Sequence, residues 1–118
     1  MNIFIICTVR DASTEYRRKL EKYAEDLENA GHSVHLPHRD TNQNASGLNI
    51  CQENKNAIIK ADEVHIFYNL SSQGTHFDMG MAFMAGKKIK IIENVQYEEG
   101  KSYPRMLTEW EMLAPKSI

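Results

Sequence analysis

The sequence predicts an α/β domain built on a small, doubly wound parallel sheet of four to five strands with helices on both faces. Two observations carry this. Short, continuously apolar, β-branched runs alternate with longer segments of helical periodicity, in the order β-α-β-α-β-α-β-α. The runs are apolar at successive positions, as in strands buried on both faces of a parallel sheet. The chain has 118 residues, of which 42% are hydrophobic and 25% charged, which suits one domain, residues 1–118, with a single core.

The first run, Asn2–Thr8, reads as the opening strand, and it empties into Thr8, Val9, Arg10, Asp11, Ala12 and Ser13. Ser13 or Thr14 caps the helix that follows. Tyr16, Leu20, Tyr23, Ala24 and Leu27 form its sheet-facing stripe, and Gly31 is its stop. Ser33–Leu36 is a short second strand ended by Pro37, and His38–Gly47 is a polar loop longer than most βα connections. The next helix spans Leu48–Ala61. Its apolar stripe of Ile50, Ala57, Ile58 and Ala61 is interrupted by Asn54, an amide that must find partners or point into a pocket. Val64–Tyr68 is the third strand and Lys88–Ile92 the fourth. Pro104 opens a last helix through Arg105, Met106, Leu107, Trp110, Met112 and Leu113, with Pro115 after it. Trp110 reads as a packing residue.

Between the third and fourth strands lies the stretch on which function turns. Ser71, Ser72, Gln73, Gly74 and Thr75 form a polar turn that opens a nearly all-apolar helix of Phe77, Met79, Met81, Ala82, Phe83, Met84 and Ala85, stopped by Gly86. Asp78 is its one carboxylate, expected in the first helical turn, where the amides would keep it ionised and where a phosphate would also be received. Capping alone would also account for an acid at that place. Ligands of open α/β sheets bind outside the carboxyl ends of the strands, where Thr8–Ser13, the 68–75 turn and Asp78 converge.

The formal net charge of −2 argues against nucleic acid as the main partner. No apolar run approaches a membrane span and no charged leader precedes the first strand, so a cytoplasmic protein is expected. Cys7 and Cys51 lack metal or redox spacing and read as a core thiol and a helix thiol. His35 and His38 stand apart from other ligand types; neither a metal nor a cofactor is expected.

Two segments carry a resemblance. Ala57-Ile58-Ile59-Lys60-Ala61-Asp62 leads into a strand, and Ser72-Gln73-Gly74-Thr75-His76-Phe77-Asp78-Met79-Gly80 leads through Ala82 into Gly86-Lys87-Lys88-Ile89. The chain resembles the nucleoside 2-deoxyribosyltransferase family, including its 2'-deoxynucleoside 5'-phosphate N-hydrolases, from Ile3–Arg10 to about Ile92. The resemblance implies a flavodoxin- or Rossmann-like fold, a homodimer or higher homo-oligomer, and a nucleoside or nucleotide as the small-molecule partner. It implies cleavage or transfer at an N-glycosidic bond, with a carboxylate nucleophile at Asp78 and a helper group at Asn54, 24 residues upstream. The family has Glu and Asp at these two places. Thr8, Arg10, Ser72, Gly74 and Thr75 are the candidate substrate-binding residues, the last three for a 5'-phosphate or 5'-hydroxyl. A nucleotide or nucleotide-sugar binding module that kept the pocket without the chemistry is the alternative. A receiver-like signalling domain shares the architecture but lacks support, because the first strand ends in Cys7-Thr8 and the third in Tyr68-Asn69 without the acids it needs.

Overall fold

A computed structural model describes residues 1–93, 95–96 and 99–113. Nine elements follow in the order β1 (Asn2–Ile6), α1 (Thr14–Asn29), β2 (Ser33–His35), α2 (Pro37–Asp40), α3 (Gly47–Lys60), β3 (Glu63–Ile66), α4 (Gln73–Met84), β4 (Lys88–Ile91) and α5 (Tyr103–Glu111). Pro115, expected after the last helix, lies outside the described residues.

The four strands form one sheet in the order β2-β1-β3-β4, every pair parallel. Strand order reverses beside β1, whose neighbours are β2 on one side and β3 on the other. That is where an open α/β sheet leaves a crevice at its carboxyl edge. Alternation along β1 sends Phe4 and Ile6 to one face and Ile5 and Cys7 to the other. Phe4 and Ile6 pack with Ile58 of α3, Met79 and Ala82 of α4, and Leu107 and Trp110 of α5. Ile5 and Cys7 pack with Leu20 and Ala24 of α1. Helices therefore cover both faces, as the sequence predicts.

The long helices share one starting device. Ser13, Ser46, Ser72 and Ser102 each accept from the backbone N–H three residues on, at 3.0, 3.3, 3.1 and 3.2 Å. Each such cap is worth about 1 kcal/mol. Gly86 closes α4 with φ +68°, a left-handed conformation that a side chain would oppose. Lys87 then donates to the Ile59 and Ala61 carbonyls at 2.9 and 2.8 Å, placing a cation on the carbonyl end of α3. The Gly-Lys pair before β4 is thus an architectural fastening between α3 and α4.

Two expectations need correction. The segment after β2 is not loop from its first residue: Pro37 starts a turn of helix, since its fixed φ suits a first helical position. Asp78 is the sixth residue of α4, beyond the first turn, because the helix begins at Gln73 rather than nearer Phe77. Trp110 is the packing residue the sequence suggests: it is buried in the core, its indole N–H donating to the Lys87 carbonyl at 3.1 Å.

Candidate active site

Asp78 and Asn54 meet at the carboxyl edge of the sheet. Asn54 is 6% exposed on α3 and Asp78 7% exposed on α4. The Asn54 side chain acts on the Asp78 carboxyl as a donor that favours its charged form. Burial pushes Asp78 up to about 7, and the bond from Asn54 opposes that rise. The helix-dipole expectation of a firmly ionised Asp78 therefore fails. Desolvation outweighs a dipole that acts only within the first turn, where Asp78 does not lie.

Cys7 follows β1 and packs on the face covered by α1, near enough to Asp78 to feel its charge. Its thiol is pushed up to about 12, first by burial and then by the charge of Asp78, so it is inert and neutral. Cys7 and Cys51 are both free thiols. Tyr16 of α1 comes next. Its phenol hydrogen-bonds the Thr8 backbone, and burial, then Cys7 and Glu93, push it up to about 12 despite that bond. Lys19 pairs with Glu93, just past β4, and its ammonium stands 5.2 Å from the centre of the Tyr16 ring. Neither Tyr16 nor Glu93 stands out in the sequence. Tyr16 sits on a helical stripe that reads as core, and Glu93 in a polar connection.

The expected binding residues divide into two groups. Thr8 is half-buried, its hydroxyl accepting from Asn69 Nδ2 at 3.0 Å, and Arg10 is exposed beside it. They flank the crevice at the end of β1, where Asp11 takes a positive φ of 59°, a conformation uncommon outside glycine. Ser72 and Thr75 behave differently from expectation. The Ser72 hydroxyl is engaged as the cap of α4, and its carbonyl accepts from the His76 amide and from His76 Nδ1. Thr75 is 0% exposed, and its Oγ1 has no partner among the described residues. Thr75 therefore does not face an open pocket. Gly74 is exposed, and a Cβ there would meet nothing within 4 Å. With Ser72 serving the Thr75 and His76 amides, the Gln73 and Gly74 amides remain at the mouth of α4 without an intrahelical partner.

His76 links this mouth to α5. Its Nε2 lies 2.9 Å from the Tyr68 hydroxyl, and its ring centre lies 4.5 Å from that of Tyr103. Since Nδ1 faces a carbonyl at 2.7 Å and must carry the proton, Nε2 accepts from Tyr68. Among the described residues no group of three His, Cys, Asp or Glu side chains is placed to hold a metal ion. Among them also, no helix is long and apolar enough to cross a membrane.

No protein-family profile matches the chain, and no curated protein does. Solved structures do. A CMP N-glycosidase from Clostridium botulinum aligns with a TM-score of 0.58 and 27% identity, over 75% of this chain and 66% of its own. The chain carries the fold of the nucleoside 2-deoxyribosyltransferase family. A 2-deoxyribosyltransferase from Bacillus psychrosaccharolyticus aligns with a TM-score of 0.61 over 75% of this chain and 69% of its own, at 18% identity, a likeness of fold. The chain thus spans about two thirds of the length of each. The family resemblance read from the Ala57–Asp62 and Ser72–Ile89 segments has its counterpart in three dimensions.

Proposed function

We propose that the protein breaks, or transfers across, the N-glycosidic bond of a nucleoside or nucleotide, with Asp78 as the nucleophile. The observation that carries this is a buried carboxylate poised near neutrality, held by an amide at the sheet's carboxyl edge. Similarity to an N-glycosidase and a deoxyribosyltransferase supports the same reaction class.

An ionised Asp78 oxygen bonds to C1' as the C1'–N bond breaks through an oxocarbenium-like state, and the base leaves with the bonding pair. Water then attacks C1' of the glycosyl ester and frees the carboxylate; a second base in its place gives transfer. Asn54 has no proton to give and contributes as a hydrogen-bond donor to the carboxylate. The 5'-phosphate or 5'-hydroxyl is received by the Gln73 and Gly74 amides, with Arg10 and Thr8 opposite.

The enzyme works as a homodimer in the cytoplasm, where two free cysteines are at home. Phe77, Phe83 and Met84 of α4 are 55, 59 and 89% exposed, an apolar helix face that asks for a partner. Gly80 lies on the same face with nothing near its Cβ position. A helix-interior glycine costs about 1 kcal/mol against alanine, and close approach of a second helix accounts for it.

The second reading, a ligand-binding module, is favoured by one observation: the amide at position 54 in place of the family's acid. Incubation with a panel of nucleosides and their 5'-monophosphates separates the two. Released base supports the enzyme; ligand-dependent stabilisation with no base from any substrate supports the module.

A further inference from the structure

The one-turn helix α2 bears on the site through Thr41, the residue that ends it. Thr41 is buried, and its hydroxyl donates to Asn54 Oδ1 at 2.7 Å. Its single proton is then committed, so its oxygen faces His35 Nε2, also at 2.7 Å, as an acceptor. Nε2 must carry the proton. His35 is in turn stacked on Phe4 of β1, ring centres 5.3 Å apart and planes 13° from parallel. The helix is itself fastened. Asp40 accepts from the Leu36 amide at 2.8 Å, and Arg39 binds both Asp40 and, on α1, Glu28.

An amide whose oxygen is held from one side must turn its NH2 to the other. That side is Asp78. The reverse orientation would set the Asn54 carbonyl against the carboxylate, two acceptors with no proton between them. We infer that Thr41, set by His35, is a positioning residue for the nucleophile: it fixes which end of the Asn54 amide meets Asp78. The inference rests on the reading of Asp78 as nucleophile. It gives the segment after β2 a role in the reaction that a covering loop would not have.

The groups around the chain of hydrogen bonds are few. Cys7, just past β1, feels the charge of Asp78 and stays a thiol through the neutral range. Asp40 and Arg39 of α2 and Glu53 of α3 act on His35, whose burial keeps it below its ordinary value and neutral at pH 7.

The test reads Asp78 directly, by carboxyl 13C titration of the whole protein, beside the pH profile of base release. Thr41→Val removes the donor with little change of shape. The Asp78 midpoint should rise by about one pH unit, the value of a hydrogen bond to a charged group. The acid limb of the rate profile should move with it while KM stays near the parent's. Thr41→Ser restores the donor and should restore both. An unshifted Asp78 midpoint in folded Thr41→Val overturns the inference. A second reading needs no variant: imidazole 15N shifts of the parent protein should show His35 protonated at Nε2, and a proton at Nδ1 overturns it equally. If the parent releases no base from any substrate, the nucleophile reading falls, while the two NMR results still decide the positioning.

Discussion

Asn54 and Asp78 face each other from α3 and α4 as donor and acceptor, where two acids would have to share a proton. The amide makes a permanent donor of one partner. It leaves the titration of the site to the other.

Stability should report that titration. Asp78 holds its proton to about 7 in the folded chain, against 3.8 when unfolded. Between those values the folded state binds more protons, so stability falls as pH rises. The contribution of the neutral carboxyl is fully present below about pH 4 and lost as pH passes through 7. Asp78→Asn should therefore melt with the parent near pH 4 and several degrees above it at pH 8. A difference on the order of a few kcal/mol is at stake. Parallel melting curves across that range would contradict the burial of the charge.

Restoring an acid at position 54 changes the site's electrostatics. In Asn54→Asp the two carboxyls lie in contact, and one must keep its proton while the other ionises. That supplies a general acid, worth ~10²–10⁴-fold. Base release should rise accordingly and acquire a bell-shaped pH profile. A rate unchanged or lowered at every pH would mean that position 54 does not reach the leaving group.

Much of the fold was legible in the sequence because apolar continuity and helical period are local signals. The strands at Ile3–Ile6 and Val64–Ile66 and the stops at Gly31 and Gly86 needed no tertiary information. Asp78 lies deeper in α4 than its sequence surroundings suggest, because the Ser72 cap sets where α4 begins and the polar Gln73–His76 segment hides that start. Its titration depends on what buries it, which only the packing of β1 and α3 supplies. Asn54 was conspicuous as a polar break in a stripe. Tyr16 and Thr41 carried no such mark, one lying in a regular stripe and the other in a polar connection.

A nucleoside 5'-monophosphate should raise the melting temperature more than its nucleoside, because the Gln73 and Gly74 amides and Arg10 meet the phosphate. Arg10→Ala should remove most of the difference. Equal shifts for both ligands in the parent would take the phosphate out of the site.

Phe83→Asp and Met84→Glu place charges on the exposed face of α4 and should leave the protomer folded, since neither side chain is buried. Light scattering at micromolar concentration should give a dimer for the parent and a monomer for the pair of substitutions. A monomeric parent would contradict the proposed assembly.

The most direct test compares base release from the parent and from Asp78→Asn on the same nucleoside 5'-monophosphate. The amide keeps the shape of the side chain and loses the attacking charge. Base release should vanish while ligand binding stays within about tenfold, the tolerance of an isosteric change at ~1.4 kcal/mol. Release undiminished without the Asp78 carboxylate would contradict its assignment as the nucleophile.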